Sequence, residues 1–100
     1  MKLDKTPSEC SSKEDIRAHI DIIDREIITL FSQRFQYVKE IVKYKTDAAS
    51  VVAEDRKQEV IRVRGQWAEE LGLEKEAFEK IYAILIEYFI KEEMKILGHK

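Results

Sequence analysis

The chain has 100 residues, of which 44% are apolar and 38% are charged, and its formal net charge is −2. This length supports one domain, and the interspersed charges form no basic surface for DNA or RNA. Apolar runs are too short to cross a membrane, and a single cysteine excludes disulfides within the chain, so we expect a cytoplasmic protein. The scarcity of Gly and Pro favours an all-α fold.

Residues 1–12 carry no periodic pattern and are predicted to form a tail that precedes one helical domain over residues 13–100. Ser12 lies three residues before Asp15, and the same spacing occurs one residue earlier. Either pair resembles a capping box, in which a serine hydroxyl and an acidic side chain bind the first free backbone N–H groups. A helix is therefore predicted to begin at about this point.

The first helix is predicted to run from about Glu14 to Lys45, because apolar residues recur at helical spacing. About 32 residues at about 1.5 Å per residue give a length of about 48 Å. One small domain cannot cover a helix of this length, so we expect a homodimer. The apolar stripe begins with Ile16, Ile20, Ile23, Ile27 and Leu30.

Two further helices are predicted, which makes three in all. Residues 46–53 are small or polar and are predicted to be a mobile connection. The second helix is predicted from about Glu54 to Leu71, and Gly72 follows it where a left-handed residue often ends a helix. The third helix is predicted from about Glu74 to Leu97.

Four ionisable residues fall on apolar faces of these predicted helices: Arg34, Lys45, Arg56 and Glu93. On one continuous helix, Lys45 would follow Arg34 by eleven residues and lie on nearly the same face. Long cationic side chains often lie along apolar surface with the charge in water, but a carboxylate such as Glu93 has little reach. Together they predict a polar pocket for a small substrate with more than one negative charge.

The remaining reactive residues suggest no covalent chemistry. No serine or cysteine has a matching base in the sequence, and His19 and His99 are isolated and expected at the surface. Apart from surface charge runs, no group of residues has metal-ligand spacing, so no metal is expected. The predicted pocket would act by positioning and electrostatic stabilisation.

Several segments resemble the all-helical chorismate mutase family, which also includes the bacterial isochorismate-pyruvate lyases. The resemblance rests on DIRAHIDIIDREIITLFSQRF at 15–35, on Lys45, on EDR at 54–56 and on WAEELGL at 67–73. It extends over nearly the whole chain after the tail. The combination of these segments at these separations is more specific than the first block alone.

The resemblance implies an intertwined homodimer with two identical sites, each built from both chains, and no cofactor. Arg17 precedes Arg34 by seventeen residues, or about 25 Å along one helix. The two could not serve one site from a single chain, whereas the partner's Arg17 could. The implied substrate is a small dicarboxylate, chorismate or isochorismate.

The resemblance also implies a role for each site residue. Arg34, Arg56 and the partner's Arg17 would bind the two carboxylates of the substrate. Lys45 would bind a carboxylate and the ether oxygen that gains charge as the C–O bond breaks, and Glu93 would donate a hydrogen bond to the same oxygen. The apolar walls would be Ile41, Ile86 and Ile90.

Glu93 departs from many bacterial members of the family, which have Gln at this position. Only a protonated carboxyl could donate to the ether oxygen; the apolar neighbours of Glu93 favour that neutral form and Lys45 opposes it. We therefore expect turnover to fall as pH rises, and Glu93→Gln to flatten that decline.

Ala53 and Lys57 also depart from the mutases, which usually contact the ring hydroxyl with acidic residues at these positions. The lyases are non-acidic at both, but they have Gln at the position of Glu93, which favours the mutase instead. The main hypothesis is a chorismate mutase that converts chorismate to prephenate. The alternatives are an isochorismate-pyruvate lyase, which gives salicylate, and a helical dimer without catalytic activity.

Overall fold

The computed structural model describes residues 1–99 and divides the chain into two compact units, Met1–Gln36 and Tyr37–Lys100. The described residues form helices and turns without strands, which agrees with the all-α prediction. None of the helices in this described part has the length and apolar character needed to cross a bilayer. The α-helices are α1 (Lys13–Ile41), α2 (Ala48–Val52), α3 (Glu54–Glu70) and α4 (Lys75–Gly98), and 3₁₀ turns cover Pro7–Glu9 and Val42–Tyr44.

The start of α1 confirms Ser12 as the capping residue. Its hydroxyl accepts a hydrogen bond from the backbone N–H of Asp15 at 3.0 Å, and its carbonyl accepts one from Ile16 at 3.1 Å. The Asp15 carboxylate in turn accepts from the N–H of Ser11 at 3.1 Å. These bonds supply partners for N–H groups that a helix leaves open at its beginning.

The N-terminal tail has more structure than its sequence predicts. It contains the 3₁₀ turn Pro7–Glu9, and two ion pairs fasten it to α1. Lys5 Nζ lies 2.8 Å from Asp15 Oδ2, and His19 Nε2 lies 2.7 Å from Asp4 Oδ1. The prediction of an isolated surface histidine at position 19 is wrong, because both ring nitrogens of His19 have partners.

The first helix ends four residues earlier than predicted, at Ile41 rather than Lys45. The 3₁₀ turn Val42–Tyr44 follows, and Val42 is 1% exposed. Lys45 has extended backbone angles, φ −109° and ψ 135°, and its N–H binds the carbonyl of Val42. Burial of Val42 turns the chain out of the helix, so the prediction that Arg34 and Lys45 share a face of one continuous helix is wrong.

The predicted connection at 46–53 contains the short helix α2. Asp47 caps this helix by accepting a hydrogen bond from the N–H of Ser50 at 2.8 Å. Val51 is buried, with 2% of its surface exposed. An N-cap and one buried valine therefore order a segment whose composition alone resembles a loop.

The turn between α3 and α4 agrees with the sequence. Gly72 has φ +81°, and the N–H of Leu73 binds the carbonyl of Ala68 at 2.9 Å, as in a Schellman motif. Gly65 in α3 allows the close approach of α4, since a Cβ there would lie 2.8 Å from Cγ of Glu79. Glycine therefore ends α3 at one position and lets α4 pack closely at the other.

The second unit has an apolar core to which all three of its α-helices and its 3₁₀ turn contribute. One charged residue is buried with this core among the described residues: Glu93, which is 6% exposed. The fold therefore buries a carboxyl group in the second unit. The buried apolar residues are Val42, Val51, Val60, Ala68 and Phe89.

Candidate active site

The buried Glu93 lies in contact with Lys45. Lys45 Nζ donates a hydrogen bond to Glu93 Oε2 at 2.8 Å, and the two side chains are 16% and 8% exposed. The pair joins residues that are 48 positions apart in the sequence. The structure thus brings together two of the four charged residues that the sequence places on apolar faces.

Helix α4 positions the carboxyl group. Ile86, Ile90 and Glu93 follow one another at spacings of four and three residues, so they share one side of the helix. Both isoleucines are half-buried. Lys45 reaches Glu93 from the segment that follows the 3₁₀ turn, where the buried Val42 anchors the backbone.

This arrangement can stabilise negative charge on a small ligand. A hydrogen bond between an ammonium and a carboxyl oxygen at this distance is charge-assisted, and limited exposure to water strengthens it. The same ammonium would interact strongly with an oxygen atom that gains charge during bond cleavage. A ligand would have to share Lys45 with Glu93 or displace it.

Two other predicted site residues of the second unit lie nearer the surface. The guanidinium of Arg56 donates to Glu59, one turn further along α3, at 3.1 Å, and its side chain is 63% exposed. Ile41, at the end of α1, is 47% exposed. In the structure Arg56 therefore forms a surface ion pair, and its role in substrate binding stays a prediction.

Arg17 and Arg34 lie on α1 within the first unit. Arg17 is exposed and Arg34 is half-buried. Seventeen residues of continuous helix separate them, which corresponds to about 25 Å. This separation is the one that the sequence predicts.

Ala53 and Lys57, the two positions at which the resemblance implies a departure from the mutases, lie near the start of α3. Ala53 has left-handed backbone angles, φ 43° and ψ 61°. Lys57 Nζ donates to Glu87 Oε1 at 2.8 Å, which joins α3 to α4. This hydrogen bond lowers the pKa of Glu87 and raises the pKa of Lys57.

A second group of reactive side chains, which the sequence did not reveal, lies in the first unit. One ligand atom each of Cys10, Asp15 and His19 falls within 4.8 Å of the others. Asp15 and His19 are one helical turn apart, and that spacing is visible in the sequence. Cys10 could not be placed beside them, because its position depends on how the tail folds onto α1.

Comparison with known proteins gives two findings. Residues 16–94 match the family of type II chorismate mutases. The chain is also 36% identical over 91 residues to a protein of Pseudomonas aeruginosa named isochorismate pyruvate lyase, and the match covers 91% of this chain and 90% of the relative. Sequence and all-helical structure agree with both findings, and the chain belongs to the chorismate mutase type II family.

Proposed function

We propose that this protein is an isochorismate-pyruvate lyase, which cleaves isochorismate to salicylate and pyruvate without a cofactor. The buried pair of Lys45 and Glu93 is the observation that most supports a reaction site in this chain. The name of the relative that is 36% identical over nearly the full length favours the lyase reaction within the family.

The proposed reaction balances within a single substrate. The bond between the ring carbon and the ether oxygen breaks, and one ring hydrogen moves to the methylene carbon of the enolpyruvyl group. That group leaves as pyruvate, and the ring becomes aromatic as salicylate. Negative charge grows on the ether oxygen, so a cation beside it lowers the barrier.

Lys45 is the proposed catalytic cation. Arg34, Arg56 and the partner's Arg17 are proposed to bind the substrate carboxylates, as the family resemblance implies. The side chains proposed to hold the enolpyruvyl group over the ring are those of Ile41, Ile86 and Ile90. Two of them share a face of α4 with Glu93, which supports this part of the assignment.

Glu93 is proposed to control how strongly Lys45 acts on the substrate. In the unliganded structure the carboxyl oxygen of Glu93 accepts a hydrogen bond from the Lys45 ammonium. Glu93→Gln keeps an acceptor but removes the carboxylate charge that would oppose a developing oxyanion. We expect the variant to have a higher kcat/KM for isochorismate than the wild type.

Glu92→Gln is the matched control for this experiment, because Glu92 neighbours Glu93 in the sequence and pairs instead with Lys95 at 3.0 Å. Its kcat/KM should match that of the wild type. An unchanged kcat/KM in Glu93→Gln would contradict the proposed role of Glu93.

Chorismate mutase activity is the second candidate, and the family match favours it. Mutases of the family are expected to contact the ring hydroxyl through acidic residues at positions 53 and 57. Here these positions hold an alanine and a lysine that is paired with Glu87. That difference supports the lyase as the main activity.

Product identification separates these functions. The purified chain is incubated with isochorismate and, separately, with chorismate, and the products are resolved by chromatography. Salicylate and pyruvate from isochorismate would support the lyase. Prephenate from chorismate as the faster reaction would support the mutase instead. The absence of any product from either substrate would support a helical dimer without catalytic activity.

We also propose that the chain forms a homodimer in which each site uses the partner's Arg17. Helix α1 has no buried residue within one chain, and several of its isoleucines are more than 40% exposed, which supports an apolar contact with a second copy. Arg17 and Arg34 lie too far apart on one helix to bind the same small molecule.

Mixing two inactive variants tests this assembly. Arg17→Ala and Arg34→Ala are each expected to lose most activity. A mixed dimer would contain one site with both arginines and one site with neither. After random exchange of subunits, activity should therefore recover to about a quarter of the wild-type value. Failure to recover, with exchange confirmed by mass spectrometry, would contradict the shared site.

A further inference from the structure

The first unit contains three potential metal ligands outside the proposed reaction site. Cys10 follows the 3₁₀ turn of the tail, and Asp15 and His19 lie one turn apart on α1. Their ligand atoms lie within 4.8 Å of one another, and all three residues are partly buried. Thiolate, carboxylate and imidazole are the ligands that zinc prefers in proteins.

Two of the three distances between these atoms are close to those of a tetrahedral zinc site. Zinc bonds of about 2.0–2.3 Å at a tetrahedral angle place neighbouring ligand atoms about 3.3–3.6 Å apart. Cys10 Sγ lies 3.8 Å from His19 Nδ1, and His19 Nδ1 lies 3.4 Å from Asp15 Oδ1. Small movements of side chains would therefore allow all three to bind one ion.

The surrounding residues orient two of the three ligands. Asp4 accepts a hydrogen bond from His19 Nε2 at 2.7 Å, which leaves Nδ1 on the side of Cys10. A carboxylate on the far nitrogen of a histidine is the common partner in metal sites. Lys5 binds Asp15 Oδ2 at 2.8 Å, while Oδ1 is the oxygen nearer to His19.

We propose that Cys10, Asp15 and His19 bind one divalent transition-metal ion, with Zn²⁺ as the expected ion. Binding releases the thiol proton of Cys10 and the proton on Nδ1 of His19 to solvent. The hydrogen bond of 2.7 Å from Nδ1 to the backbone carbonyl of Asp15 is given up for the metal bond. Water completes the coordination, and the ion links the tail covalently to α1.

This proposal is independent of the proposed lyase reaction, so its test measures binding rather than turnover. Isothermal titration calorimetry with Zn²⁺ on the chelator-treated chain should give one ion per chain. Titration with Co²⁺ should give a thiolate-to-metal charge-transfer band in the near ultraviolet, which Cys10→Ala abolishes. Cys10→Ala and His19→Ala should each weaken Zn²⁺ binding by at least about 100-fold, and Asp4→Asn by about 10- to 100-fold.

His99→Ala is the matched control, because His99 is the other histidine of the chain and is exposed at the end of α4. Its Zn²⁺ affinity should equal that of the wild type. Circular dichroism checks that every variant keeps its helix content. Binding that Cys10→Ala leaves unchanged, half an ion per chain, or no binding at micromolar protein would each overturn the proposal.

Discussion

Different interactions stabilise each of the two units of the chain. In the first unit, polar side chains fasten the tail to α1, and α1 buries no residue of its own. In the second unit, apolar side chains from several helices form a core, and the ion pair of Lys45 and Glu93 has little exposure to water. Among the described residues, α1 therefore has none that is buried, whereas α4 has two, Phe89 and Glu93.

Truncation of a core residue in the second unit should have the largest effect on stability. Phe89 is 5% exposed, so Phe89→Ala should lower the free energy of unfolding by about 3–5 kcal/mol through lost burial and a residual cavity. Ile28 in the first unit is 68% exposed and lies beside the apolar stripe. Ile28→Ala should therefore change the free energy of unfolding by less than about 0.5 kcal/mol. Urea denaturation measures both, and equal losses would contradict the contrast between the units.

Removal of an ion pair should also lower the free energy of unfolding more in the second unit than in the first. Lys45→Met leaves the buried Glu93 without this charged donor and should lower the free energy of unfolding by about 1–3 kcal/mol. Lys5→Met in the first unit should have a smaller effect, because the Lys5 side chain is 40% exposed.

The double variant Lys45→Met/Glu93→Leu is the control for this comparison. Replacing both members of a buried pair by apolar residues restores much of the stability lost with one. Denaturation of the single and double variants gives the coupling between the two residues. A double variant less stable than Lys45→Met would indicate that the pair is not an isolated buried interaction.

A backbone substitution should stabilise the second unit modestly. Ala53 has φ 43°, a left-handed conformation that costs a residue with a Cβ about 1 kcal/mol or more. Ala53→Gly should therefore raise the free energy of unfolding by about 0.5–1 kcal/mol. Ala49→Gly, inside the neighbouring helix α2, should lower the free energy of unfolding by a similar amount. Thermal denaturation of the two variants measures both changes. Stabilisation by both would contradict the assigned strain.

The smallest expected effect concerns the ion pair of Lys57 and Glu87 on the surface of the second unit. The folded-state pKa of Glu87 lies below its ordinary value because Lys57 donates to it. Its contribution to stability is thus present at neutral pH and is lost as pH falls through the folded pKa. The stability difference between wild type and Glu87→Gln should disappear in acid, below the folded pKa of Glu87. A difference that persists there would exclude this linkage.

Helices α3 and α4 of the second unit could be predicted from sequence because their signals are local. Gly72 marks the end of α3, and apolar spacing marks α4. The end of α1 and the helix α2 could not be predicted, because burial of Val42 and Val51 depends on contacts with other helices. Local composition gives no measure of such burial.

Only part of the candidate site could be predicted from the sequence. An acidic residue on the apolar face of α4 indicated a buried polar group, and the structure places Glu93 beside Lys45. The cluster of Cys10, Asp15 and His19 was missed, since the position of Cys10 follows from the ion pairs of the tail rather than from any periodic pattern.

The most direct test of the proposed reaction compares two lysines that lie two residues apart. Lys45 contacts the buried Glu93, whereas Lys43 is 68% exposed and pairs with Glu40 on the surface. The rate of pyruvate release from isochorismate is measured for wild type, Lys45→Met and Lys43→Met, with folding checked by circular dichroism. Lys43→Met should keep the wild-type kcat/KM, and Lys45→Met should lose about 100- to 1,000-fold. A folded Lys45→Met variant with the activity of Lys43→Met would contradict the proposed role of Lys45.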